Sequence, residues 1–133
     1  MGRLGLDLGL AAVTLALLAS GCRIQPIYAV HDHPIPSVSR GLTTKEITQL
    51  MADAARNNGW TVDPIGPREL RATQRWRSHA AIVRITHDDR TFAIRNEGST
   101  NLGQHEDEAI HRAYNRRVQA LEAAIERRLH RPS

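Results

Sequence analysis

Apolar positions recur in three rhythms along this chain. Residues 8–18 are apolar apart from Gly9 and Thr14, a run of roughly eleven residues. Further on, Ile47, Leu50, Met51, Ala54 and Ala55 step by three and four, which predicts an amphipathic helix. Its start is marked by Thr43-Thr44-Lys45-Glu46, a capping box, with Leu42 and Ile47 placed as a hydrophobic staple. Its end is marked by Asn57-Asn58-Gly59, with Gly59 suited to the left-handed position after the last turn. From Leu70 the rhythm changes to two. Leu70, Ala72, Gln74 and Trp76 alternate with Arg71, Thr73, Arg75 and Arg77. Ala81, Val83 and Ile85, then Phe92 and Ile94, continue the alternation on either side of a hairpin turn at His87-Asp88-Asp89-Arg90. Trp60 and Val62 begin a strand that a turn at Pro64-Ile65-Gly66-Pro67 ends. Past a polar loop, Ile110, Tyr114, Val118, Leu121, Ile125 and Leu129 return to helical spacing, predicting a helix from about Glu106 to Leu129.

Short connections imply antiparallel pairing. The expected fold is α+β, a two-layer sandwich with an antiparallel three- to four-stranded sheet and both helices packed on one face. The chain divides into a leader (1–21), a Pro-rich tether (22–41) broken by Pro26, Pro34 and Pro36, and a single domain (42–133). A short edge strand is possible around Ile27, Tyr28 and Val30.

The leader changes the picture most. Arg3 precedes an apolar run too short to span a bilayer, and Ala19-Ser20-Gly21 then meets Cys22, the only cysteine. This resembles a bacterial lipobox, with Ala19 where leucine is usual. The resemblance implies diacylation of the Cys22 sulfur, cleavage before it and palmitate-type acylation of the new amino group. Two or more acyl chains make a permanent membrane anchor. Arg23, in place of an aspartate, points to the outer membrane facing the periplasm. Without another cysteine, the domain must hold itself by packing in an oxidising compartment.

Arg3 and Asp7 leave together, so the processed chain keeps the formal charge of +4. Aromatic residues make up only 4%, too few for a base-stacking platform, and export argues against a nucleic-acid partner despite an isoelectric point near 10.2.

Several short stretches resemble a family of small proteobacterial lipoproteins of unknown function. They are Pro26-Ile27-Tyr28, His33-Pro34-Ile35-Pro36, Gly59-Trp60, Gly66-Pro67, Arg77-Ser78-His79-Ala80-Ala81, Ser99-Thr100-Asn101-Leu102, Ile110-His111, Tyr114-Asn115 and Val118. The likeness spans nearly all of the processed chain and rests on the order of these motifs. It implies an α+β domain and no particular activity. The family pattern commonly has tryptophan at the position of Arg117 and tyrosine at that of Asn96.

Candidate chemistry is sparse. His31-Asp32-His33 offers two imidazoles and a carboxylate, which in an extended tether point to one side and need a third ligand to hold zinc or copper. His105 and His111 flank Glu106, Asp107 and Glu108, but acids at a helix start are explained by the helix dipole. Ser99 and Asn101 suit loop turns. No G-x-S-x-G, paired strand-end carboxylates or Gly-rich phosphate loop is present, so no enzyme and no cofactor are expected. The sharper feature is the polar side of the alternation. Arg71, Arg75, Arg77, Arg84 and Arg95 are expected on the outer sheet face, where guanidinium forks recognise carboxylate and phosphate. The expected role is a non-catalytic, membrane-anchored envelope lipoprotein whose basic face meets an anionic lipid, lipopolysaccharide, peptidoglycan or an acidic protein. The alternative is a metal-binding or metal-sensing lipoprotein using His31 and His33.

Overall fold

A computed structural model of the chain describes residues 26–100 and 108–133. The leader, Cys22, Asn101 and Leu102, and His105 with its two following acids lie outside the described residues. The elements in chain order are β1 (Val30–Pro34), a 3-10 turn (Ser37–Ser39), α1 (Thr44–Asn57), β2 (Thr61–Gly66), β3 (Glu69–Trp76), β4 (His79–His87), β5 (Thr91–Asn96) and α2 (Glu108–His130). The fold is α+β. Among the described residues the sheet has five antiparallel strands in the order β1-β5-β4-β3-β2, rather than the three or four expected.

The helix signals act as read. The Thr43 hydroxyl accepts from the Glu46 amide and the Glu46 carboxylate accepts from the Thr43 amide, both at 3.1 Å. After Asn58, the Gly59 amide donates to the Arg56 carbonyl and the Trp60 amide to the Ala55 carbonyl. Those are the two bonds of a Schellman stop, and Gly59 takes φ +90, which L side chains resist. The stop turns Trp60 inward, where it is buried.

The period-two strands present Leu70, Ala72, Ala81, Val83, Ile85, Phe92 and Ile94 to the core, where Ile47, Leu50, Met51 and Ala55 of α1 meet them. Tyr114, Val118, Leu121, Ile125 and Leu129 of α2 complete one continuous cluster. Fully burying each such side chain is worth about 1.5–3 kcal/mol, so the cluster dominates stability.

Two expectations fail at the N-terminal side and at β2. Pro64, Ile65 and Gly66 do not form the turn but continue β2, with the register slipping between Pro64 and Gly66. Proline is tolerated there because β2 is an edge strand and the missing N–H faces no partner. The turn itself is Pro67-Arg68.

Residues 30–39, read as tether, belong to the domain. β1 pairs with β5, Ile35 is fully buried and its amide donates to the Arg90 carbonyl at 2.7 Å. The Ser39 hydroxyl donates to the Leu129 carbonyl at the end of α2. The prolines suggested a tether, but strand addition to an open sheet edge and one isoleucine anchor decide otherwise.

Candidate functional site: a basic sheet face and the anchored segment beside it

The outer face follows from the register. Arg71 stands opposite Arg84 and Arg84 opposite Arg95, while Asp63 of β2 stands opposite Arg71. One cross-strand row therefore carries three of the five expected arginines. Arg75, opposite Ala80, lies on the same face further along β3. Arg77 occupies the two-residue turn between β3 and β4 at φ +54. Burial of Leu70, Ala72, Val83, Ile85 and Ile94 on the other side is what forces these side chains out.

The row is partly neutralised by acids that alternation did not reveal. Glu97, just past β5, receives Arg71 through Nε at 3.3 Å and Nη2 at 3.4 Å, and also receives Arg84 Nη2. Glu69 Oε2 lies 3.9 Å from Arg84 Nη1. Hydrogen bonds from Arg84 and then Arg71 hold the Glu97 carboxyl below its ordinary range, and the same contact raises Arg84. Like-charged arginines opposite one another would repel, and Glu97 relieves this. Arg75 and Arg95 are exposed and make no ion pair among the described residues. Arg75 and Arg95 are therefore the outer-face arginines left without a carboxylate among the described residues, with Arg77 at the rim. A depression of about 220 Å³ beside Arg95 is lined by Thr86, Thr91 and Ala93, and by Asp32 from β1.

The proposed metal pair is not brought together. Between Val30, opposite Ile94, and His33, opposite Phe92, β1 holds one residue more than β5. That bulge sits at Asp32, whose φ is +50, a conformation aspartate tolerates better than most residues. The extra residue turns His33 inward and leaves His31 exposed. His33 stacks on Phe92 at 4.6 Å and donates through Nδ1 to Glu122 Oε2 at 2.7 Å. Among the described residues no group of three or more His, Cys, Asp or Glu could hold a metal ion.

Two α2 residues that sequence reasoning passed over hold the N-terminal segment. The Asn115 carboxamide behaves like a strand backbone: Oδ1 accepts from the Tyr28 amide at 2.7 Å and Nδ2 donates to the Pro26 carbonyl at 3.0 Å. Glu122 accepts from the Tyr28 hydroxyl at 2.6 Å as well as from His33, and that bond raises the Tyr28 pKa. Pro26 and Tyr28 are thus held on the helix layer, opposite the arginine row. The sequence signals were that Asn115 and Glu122 fall beside the apolar stripe of α2 and that Tyr114-Asn115 is one of the stretches carrying the family resemblance. His111 is buried at the start of that stripe.

Arg127, Arg128 and Arg131 border a groove of about 330 Å³ with Asn57 and Asn58, floored by Ala54 and Ala124. Compared with known protein families, curated proteins and solved structures, the chain matches none.

Proposed function

We propose that this chain is a membrane-anchored envelope lipoprotein of non-catalytic role, held by lipid on Cys22, whose arginine-bearing sheet face binds an anionic envelope component. The observation that carries the reading is the exposed outer face with Arg75 and Arg95 free of carboxylate partners among the described residues. A face meant only for solubility would be served equally by paired charges.

The attachment of the segment supports a choice among ligands. Pro26 is pinned to α2, and Cys22 lies only four residues before it. At 3.3–3.6 Å per residue the leash cannot exceed about 14 Å. A domain tied that closely by its helix layer turns its sheet face away from the lipid. Carboxylates of peptidoglycan then suit the arginines better than headgroups of the bilayer that holds the anchor, and an acidic protein is the second occupant of the same face. The bulge that parts His31 from His33 weighs against the metal-binding alternative among the described residues.

The anchor is tested by acyl labelling: Cys22→Ser should abolish the label, and normal incorporation in that variant would refute it. The face is tested by cosedimentation with purified peptidoglycan across a salt series. Wild type should bind at low salt and be released as salt rises, since screening at 0.15 M acts beyond about 8 Å. Arg75→Gln with Arg95→Gln should weaken binding several-fold while melting like wild type, because exposed substitutions shift stability by about 0.5 kcal/mol or less. Equal binding by the pair variant, or none by wild type at low salt, would sink the reading of this face.

A further inference from the structure

We infer that the helix layer carries a second, separate anion site, the groove bordered by Arg127, Arg128 and Arg131, and that its occupant is the phosphate headgroup of an anionic bilayer. Three observations converge on it. The first is charge. The groove is lined by three guanidinium groups and two asparagines, with no carboxylate among its lining residues. Arg128 Nη1 donates to the Arg131 carbonyl, and Arg127 and Arg131 are exposed without an ion pair among the described residues. Neutralising the C-terminal carbonyls of two helices does not need three full charges, since each end amounts to about half an elementary charge.

The second observation is the ridge that continues from the groove. Arg112, Arg116, Gln119, Ala123 and Arg127 follow at steps of three and four, so they share one side of α2, and Arg131 comes just past its end. Of the three acids of α2, Glu122 and Glu126 pair with His33 on β1, Glu126 also lies near His130, and Glu108 pairs with Arg112. The outward ridge therefore carries three arginines with Arg131 beyond its end, and among the described residues Arg112 alone of these four is in an ion pair, with Glu108 at 3.4 Å.

The third observation is place. The N-terminal segment leaves beside Asn115, and Arg127 stands twelve residues further along the same helix, about 18 Å at 1.5 Å per residue. This placement takes the Cys22 anchor from the reading above. A leash of about 14 Å starting on the α2 layer brings that ridge, and the groove at its end, against the headgroups. Arginine is suited to phosphodiester oxygens because its fork engages two at once. The exposed Ile27 sits next to Tyr28 at the same exit and adds an apolar contact at the lipid boundary.

The vesicle test does not require the anchor, so its failure is distinct from failure of the acyl-label or peptidoglycan tests. The processed chain, residues 22–133 carrying Cys22→Ser, keeps every contact described, since all lie within residues 26–133. It is cosedimented with vesicles of phosphatidylglycerol and phosphatidylcholine, and with phosphatidylcholine alone. Wild type should bind the anionic vesicles and not the neutral ones. Each arginine near an anionic surface contributes roughly fivefold, so Arg127→Gln with Arg131→Gln should weaken binding about thirtyfold. Arg127→Lys with Arg131→Lys should retain most of it, which separates lost charge from lost fold. Arg75→Gln with Arg95→Gln should bind these vesicles like wild type. No preference for anionic vesicles, or unchanged binding by the Gln pair, would overturn the inference. So would loss of vesicle binding in the sheet-face variant instead, which would put the sheet against the lipid.

Discussion

Replacing Ile35 by alanine separates two pictures of the N-terminal third. If residues 22–41 were a tether, the change would alter stability by no more than about 0.5 kcal/mol. In the structure Ile35 has no exposed surface and its backbone is pinned at both polar atoms: its amide donates to the Arg90 carbonyl, and its carbonyl accepts from Arg40 Nε at 2.9 Å. The substitution removes three carbons at about 0.8 kcal/mol each, near 2.4 kcal/mol of transfer energy. Because the backbone is held, the site cannot collapse fully, and the residual cavity adds to this. The expected cost is about 3–4 kcal/mol, within the ~2–5 range for such truncations. That is a large fraction of the ~5–15 kcal/mol typical of a domain. Urea unfolding followed by tryptophan fluorescence is a suitable assay, since Trp60 is buried and Trp76 partly so. The midpoint should fall sharply with the slope unchanged. Val38→Ala, 56% exposed and three residues away, is the internal control and should leave the midpoint in place. A loss below 0.5 kcal/mol for Ile35→Ala would refute the placement of this segment in the core.

Two further perturbations test local devices. His87 is buried, with Nδ1–H donating to the Asp88 carbonyl at 3.1 Å and Nε2 2.7 Å from the Thr48 hydroxyl. Burial, with Arg68 adding to it, lowers its pKa below the ordinary 6.5. The unfolded chain therefore binds the extra proton first, so stability is complete above pH 6.5 and declines as pH falls through the folded pKa. His87→Gln should flatten the pH dependence of the urea midpoint below about pH 6.5. The hydrogen-bonded carboxylates Glu46, Asp88 and Glu97, all held low, act only below their ordinary 4.5, 3.8 and 4.5. An unchanged slope in His87→Gln would show that His87 is not the group responsible. Arg77 takes φ +54, a left-handed conformation costing about 1–2 kcal/mol for a residue with Cβ. Arg77→Gly relieves it and gives back about 0.5–1 kcal/mol in chain entropy, so a net gain of up to about 1 kcal/mol is expected by thermal melting, and a clear loss would contradict the strain.

Local signals were legible in the sequence because each involves a few neighbouring residues and their own backbone. The capping box at Thr43 and Glu46, the glycine stop at Gly59 and the Asp88 turn need no partner from elsewhere. Strict periodicity was legible for a related reason. A buried face forces alternation in β3, β4 and β5 and steps of three or four in α2, so the inward and outward sides, including that of the arginines, could be assigned. Contacts between distant residues were not legible. His33 meets Glu122 and Ser39 meets Leu129 across separations of 89 and 90 residues, and these contacts help make a proline-containing segment a strand of the domain. The bulge at Asp32 separates His31 from His33, yet it exists only relative to the β5 register. Glu97 partly neutralises Arg71 and Arg84 because strand pairing places it beside two arginines that lie 26 and 13 residues away in the chain. The groove between α1 and α2 likewise depends on how two helix ends pack. Periodicity assigns a residue to a face, but only the packed tertiary arrangement assigns it a neighbour, and charge pairing, ligand geometry and segment membership are all properties of neighbours.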